Sequence, residues 1–315
     1  MKTFIKNVII YISLFFGLVL LIELSTALII NRHANFKFEL KPKYLVLGHS
    51  HPECAFNDSI IYKLKNIARS AEPYYYTYFK LKKVLEQNSS IETIFIEYTN
   101  NQINPEMDDW TWDDEHISSR YVNYSPFIPL NHQFILLLNN PTGFFNAFSY
   151  SNKSKFINIV KEDYDYTNKL GGYLYLVRDK TDSILKNTSK IDPKNSITIS
   201  KTNISYLEKT IELIKRHKKN VFLIRSPQHP KCVDYKNETI YKHILFSRFN
   251  DVEYLDFSNF PLSNSEFGDL EHLNHKGAKK FSIWFNKLIK DGLLLKANKQ
   301  EFININIQKN KKTIL

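Results

Sequence analysis

Glycine and cysteine are scarce in this chain, eight and two among 315 residues. So little glycine excludes a collagen-like or glycine-rich low-complexity chain. Two cysteines far apart, Cys54 and Cys232, supply neither a disulfide framework nor a zinc knuckle. There is no internal repeat. There is also no RNA-binding signature, zinc finger or basic region followed by heptads, so the net charge of +11 does not point to nucleic acid. Its lysines are scattered. Such a surface suits a lipid bilayer or an anionic polysaccharide, and equally a plain solvated exterior. What is present is apolar bulk: 43% hydrophobic and 14% aromatic residues, enough for one large domain or one domain with a long insertion.

The leader is the clearest feature. Residues 8–22 are apolar apart from Tyr11 and Ser13, and after Glu23 the pattern largely continues to Ile30. About 20 apolar residues span a bilayer, whereas the apolar region of a cleavable signal is roughly 7 to 15 long. Residues 1–33 are therefore expected to be an uncleaved membrane anchor. Glu23 interrupts the span, and Ser25-Thr26-Ala27 offers the competing cleavage site. Lysines and arginines flank both ends, so the positive-inside rule leaves orientation open; the short N-terminal stub places the body outside.

Beyond a polar linker, short β-branched or aromatic runs at 43–47, 66–68, 93–98, 221–224 and 252–256 read as strands. Segments 59–65, 74–87, 204–218, 240–249 and 276–289 read as helices. Strands alternating with helices predict a parallel sheet covered on both faces. The expectation is an α/β fold: a three-layer α/β/α sandwich around a five-stranded, flavodoxin-like sheet over residues 40–295. Residues 101–200 break the alternation and are assigned to an insertion, and 296–315 to a loosely held basic tail.

Gly48-His49-Ser50 follows the first strand directly, and Asp269-Leu270-Glu271-His272 precedes the last helix. In a doubly wound sheet both turns open onto the same edge. A serine needs a base to take its proton, and a histidine needs a carboxylate to hold its tautomer. Ser50, His272 and Asp269 fill those three roles.

With those residues in place, the sequence resembles the SGNH (GDSL-like) hydrolase superfamily, especially its membrane-anchored branch of cell-envelope acyl-transfer proteins, such as those that modify teichoic acids or alginate. Gly48-His49-Ser50 matches the first family block. Asn66 to Ala71 looks like the second, Tyr98-Thr99-Asn100-Asn101 like the third, and Asp269-x-x-His272-Leu273-Asn274-x-x-Gly277 like the last. The resemblance implies Ser50 as nucleophile, His272 as base and Asp269 as its orienting acid. It implies an oxyanion hole from the N–H groups of Ser50 and Ala71 and the amide of Asn100, with Asn101 competing for that role. His49 replaces the family aspartate, and Ala71 the family glycine. The implied activity is a serine esterase or O-acyltransferase acting on a cell-envelope polysaccharide, at a bacterial inner membrane with the domain periplasmic or extracellular. A membrane-bound O-acyltransferase is the implied partner, and no cofactor is called for. The alternative is an inactive relative that binds glycans or serves polysaccharide assembly.

Each residue has a plainer role too. A serine after a strand is often a helix cap, and Asp269 can cap the last helix. His49-Ser50-His51 resembles the paired histidines of metallophosphoesterases, but the upstream ligand segments of those enzymes are missing, so no metal is expected. The stretch 107–116, with five acids and two tryptophans, suits sugar stacking or a plain acidic loop. Arg225 to Pro230 is expected on the rim beside Ser50, shaping an acceptor pocket.

Overall fold

A computed structural model describes residues 1–187, 198–232 and 237–314, for residues 187 and 312–314 the backbone alone. In chain order the elements are α1 (Lys2–His33), β1 (Tyr44–Leu47), α2 (Ser50–Ala55), β2 (Leu64–Asn66), α3 (Tyr74–Gln87) and β3 (Thr93–Glu97). Then come α4 (Glu106–Trp112), α5 (Asp114–Tyr124), α6 (Leu130–Asn139), α7 (Pro141–Lys161), α8 (Thr181–Asn187) and α9 (Lys201–Arg216). The chain closes with β4 (Asn220–Arg225), α10 (Glu238–Arg248), β5 (Glu253–Asp256), α11 (His275–Lys290) and α12 (Lys299–Ile314). These elements divide into two compact units, Met1–Phe36 with Trp112–Lys169, and Lys37–Thr111 with Leu170–Leu315.

The larger unit is α/β. Its five strands pair in parallel in the order β2-β1-β3-β4-β5. Every residue of β3 is buried, which is what a central parallel strand needs when both faces are covered. One face carries Val46, Phe95, Phe222, Ile224 and Leu255 against Phe281, Phe285 and Leu288 of α11. Those helix positions recur at three and four residues, one stripe of a helix. The other layer pairs α3 with α9, Tyr75 meeting Tyr206 at 4.8 Å between ring centroids. Start signals hold the helices in register: Ser200 Oγ accepts from Asn203 N at 2.9 Å, and Asn274 Oδ1 accepts from Lys276 N and Gly277 N at 3.0 and 3.2 Å.

Three expectations differ. Residues 59–65, expected helical, form turns leading into β2, because Asn57 and Asp58 take local backbone and hydroxyl bonds instead, as in Ser59 N to Asn57 Oδ1 at 3.0 Å. The basic tail is not loosely held: α12 buries Ile303 and Ile307 in the core of the larger unit. Segment 101–200 is not a single insertion, since 112–169 belong to the smaller unit and the rest to the larger; its residues 188–197 lie outside those described.

The smaller unit is helical. In α1 residues 2–22 expose nearly all their side chains, while Glu23 and Ile30 are buried. At about 1.5 Å per residue the exposed stretch is about 31 Å long, the thickness of a hydrocarbon core. The helix is long and apolar enough to cross a membrane, with a mean hydropathy of 2.5 in its best window. Glu23 sits at the end of that stretch and forms an ion pair with Lys155 of α7; both are buried.

Candidate active site

The first turn is built by close approach. Gly48 has φ 144°, and a Cβ there would lie 2.5 Å from Glu97 Cβ and 2.8 Å from Pro52 Cγ. Only glycine lets β1 turn so sharply against the end of β3. His49 caps the short helix that follows, and Ser50 is its first residue, so the Ser50 N–H has no intrahelical acceptor. Asn66 ties this helix to the sheet edge: Nδ2 donates to Pro52 O and Phe56 O at 2.9 and 2.8 Å, and Oδ1 accepts from Ala68 N at 2.9 Å.

The last loop is folded by the carboxylate that also serves the histidine. Asp269 Oδ1 accepts from Glu271 N and His272 N, both at 2.8 Å, and lies 2.9 Å from His272 Nδ1. That contact makes Nδ1 the protonated nitrogen and leaves the Nε2 lone pair to accept. Burial opposes ionisation of Asp269, but hydrogen bonds and charge from His272, with help from Glu271 N–H and Arg178, hold its carboxyl down at about 2. It is therefore an anion at neutral pH.

These two pieces of chain, 222 positions apart, meet: His272 Nε2 lies 2.7 Å from Ser50 Oγ. His49 Nδ1 also approaches Ser50 Oγ, at 3.3 Å. The shorter contact is the stronger one. Burial, with the charge of His272, pulls His49 down to about 3, so His49 is a poor proton acceptor beside the oriented His272.

Of the expected oxyanion donors, Ser50 and Ala71 offer backbone N–H groups and Asn100 a side-chain amide. Ala71 adopts φ 53°, the left-handed conformation that glycine occupies freely and alanine at a cost of about 1 kcal/mol. Asn100 is a correction. Its Nδ2 donates to Asn237 Oδ1 and Glu238 Oε2 at 2.8 and 2.9 Å, and its Oδ1 accepts from Arg225. An amide with both hydrogens committed has none for a substrate. Asn101 is linked to the nucleophile's surroundings through Thr99: its Oδ1 accepts from Thr99 Oγ1 at 2.8 Å, and that hydroxyl lies 3.3 Å from His49 Nε2. Among the described residues no acceptor is bonded to Asn101 Nδ2.

Several residues at the site carry no sequence signal that motif spacing detects. Arg178, within the stretch assigned to an insertion, forms an ion pair with Asp269. The run around it, which forms neither helix nor strand, is tied to the site by its backbone: Gly172 N donates to Ala68 O at 3.0 Å, Leu174 N to Glu53 O at 2.8 Å, and Lys180 N to Gly268 O at 2.9 Å. Glu97 lies fully buried, receiving Ser226 N at 3.0 Å and Ser226 Oγ at 2.6 Å. Burial pushes its carboxyl up to about 8, so it is largely protonated at neutral pH. Arg225 is buried, not on the rim, and pairs with Glu238 at 3.0 Å. Of the acid- and tryptophan-rich stretch, Trp110 stands edge-on to His49, with ring centroids 6.1 Å apart. Asp113 caps α5 by accepting from His116 N at 2.7 Å. Among the described residues one group has metal-ligand spacing, His51 with Glu271 and His272; it does not include His49.

A protein-family model that carries no functional description matches residues 128–294, more than half of the chain. The chain belongs to that family. The matched span contains β4, β5, Asp269 and His272 but begins after Ser50. No curated protein matches the chain.

Proposed function

We propose that this protein is a membrane-anchored serine esterase or O-acyltransferase of the SGNH type, acting on a cell-envelope polysaccharide. The single observation that supports it is the line of contacts from Asp269 through His272 to Ser50, at 2.9 and 2.7 Å. Ser50 Oγ attacks the acyl carbonyl carbon while His272 Nε2 takes its proton, and Asp269 stabilises the imidazolium. His272 then gives the proton to the departing alkoxide, leaving an acyl group on Ser50. A sugar hydroxyl or water, deprotonated by the same nitrogen, releases it. The N–H of Ser50 and the amide of Asn101 are the donors for the oxyanion, each worth about 3 kcal/mol of barrier when preorganised. The α1 helix is the anchor, and the α/β unit acts on the outer side of the membrane, where its polymer and a membrane-bound acyl donor protein meet it.

The rival is a glycan-binding protein on the same scaffold, favoured by the committed Asn100 amide. Incubating the full chain in detergent with p-nitrophenyl acetate separates the two. Release of nitrophenol, with an acetyl mass on the peptide containing Ser50, is expected and is lost in Ser50→Ala. Equal release by wild type and Ser50→Ala, with no acetylated Ser50, would leave only the binding role.

A further inference from the structure

We propose that the same centre is a zinc-type divalent metal site, with His51, Glu271 and His272 as ligands, and that metal occupancy and activation of Ser50 exclude each other. The proposal rests on the serine reading for its second half only.

One donor atom from each of the three side chains lies within 4.8 Å of the others. His51 gives the independent sign. It is 2% exposed, and neither of its ring nitrogens has a hydrogen-bond partner. The nearest carboxylate oxygen, Glu97 Oε1, is 3.8 Å from Nδ1, too far to bond. Leaving a buried polar atom unsatisfied is costly, and a coordinated cation satisfies one of these two nitrogens. The His51 ring stands edge-on to that of His272, centroids 5.3 Å apart at 68°.

His272 is already oriented as a ligand. An imidazole whose Nδ1–H is held by a carboxylate presents Nε2 to a metal, and Asp269 holds Nδ1 in that way. Two imidazoles and a carboxylate, with water in the fourth position, suit zinc. Tetrahedral donors at about 2.05 Å from zinc stand about 3.3 Å apart, so the three side chains close inward on binding. The exclusion follows from a single lone pair. Nε2 of His272 accepts the Ser50 proton or coordinates the cation, and it cannot do both.

The test uses the full chain in detergent, stripped with chelator. Equilibrium dialysis against zinc is expected to give one ion per chain, with binding at least ten-fold weaker in His51→Ala and in Glu271→Gln. The second variant keeps the test alive should the buried His51 change unfold the protein. Labelling of Ser50 by a fluorophosphonate, read as the ratio of rates with and without zinc at about ten times the wild-type Kd, is expected to fall at least ten-fold in wild type and by about two-fold or less in both variants. Chelator restores the wild-type rate. No zinc binding, or equal binding by wild type and both variants, overturns the site; a wild-type ratio near one at bound zinc overturns the exclusion. Absence of labelling in zinc-free protein overturns the serine reading and the exclusion with it, while dialysis still decides the metal site.

Discussion

Gly48 and Glu97 approach so closely that a methyl group on residue 48 would lie 2.5 Å from Glu97 Cβ. The contact is between backbone-borne atoms, so no side-chain rotation relieves it. Gly48→Ala is expected to cost at least about 2 kcal/mol and to displace Ser50. Thermal unfolding and esterase rate should both fall, the rate by more than the lost folded fraction accounts for. A variant with wild-type rate and stability would contradict this role.

The neighbouring asparagines are expected to separate. Asn101→Ala should lower kcat about 100- to 1000-fold with little change in unfolding, the effect of removing one oxyanion donor. Asn100→Ala strips partners from Arg225, Asn237 and Glu238 and should lower stability first. Steady-state kinetics beside thermal unfolding for both variants checks the contrast, and the reverse ranking would return the oxyanion role to Asn100.

The pH dependence of stability has a defined sign. Glu97, pushed up to about 8 by burial, keeps its proton in the folded chain where the unfolded chain has lost it. The folded state binds more protons, so stability falls as pH rises from about 4.5 to about 8, by at most about 1.4 kcal/mol per unit. His49, lowered from 6.5 to about 3, works the other way: stability rises with pH between those values. Above about pH 6.5 the Glu97 effect stands uncompensated by His49. Glu97→Gln is expected to remove the fall between pH 6.5 and 8, measured by unfolding of the detergent-solubilised chain. Parallel profiles for wild type and variant across that window would refute it.

Glu23 and Lys155 form a buried pair in the helical unit. Glu23→Ala leaves an ammonium buried without its anion, an expected loss of about 3–5 kcal/mol. Replacing both, as Glu23→Leu with Lys155→Met, should recover most of it. A double-mutant cycle on unfolding of the full chain gives the coupling, and additive losses would exclude the pairing.

Much of the α/β unit was legible in the sequence. Helix α3 matches the expected 74–87, and the five strands lie where the apolar runs place them, within a few residues. Sequence order and turn position also put Ser50, Asp269 and His272 on one edge. The rest was hidden for physical reasons. Asn100 and Asn101 are identical in type, and only the partners that fold onto Asn100, from 125 or more positions away, commit its amide. Arg178 reaches Asp269 from a run without helical or strand periodicity, so no pattern announces it. The tail read as loose because its lysines mask two isoleucines, Ile303 and Ile307, spaced one helical turn apart.

Fluorophosphonate labelling of the full chain, followed by peptide mapping, tests most directly whether His272 activates Ser50. A single adduct on Ser50 is expected in wild type, absent in Ser50→Ala, slowed at least 1000-fold in His272→Gln and strongly slowed in Asp269→Asn, where the wrong tautomer faces the serine. Labelling of Ser50 at the same rate in wild type and His272→Gln, or no labelling in any form, would contradict a serine nucleophile served by that histidine.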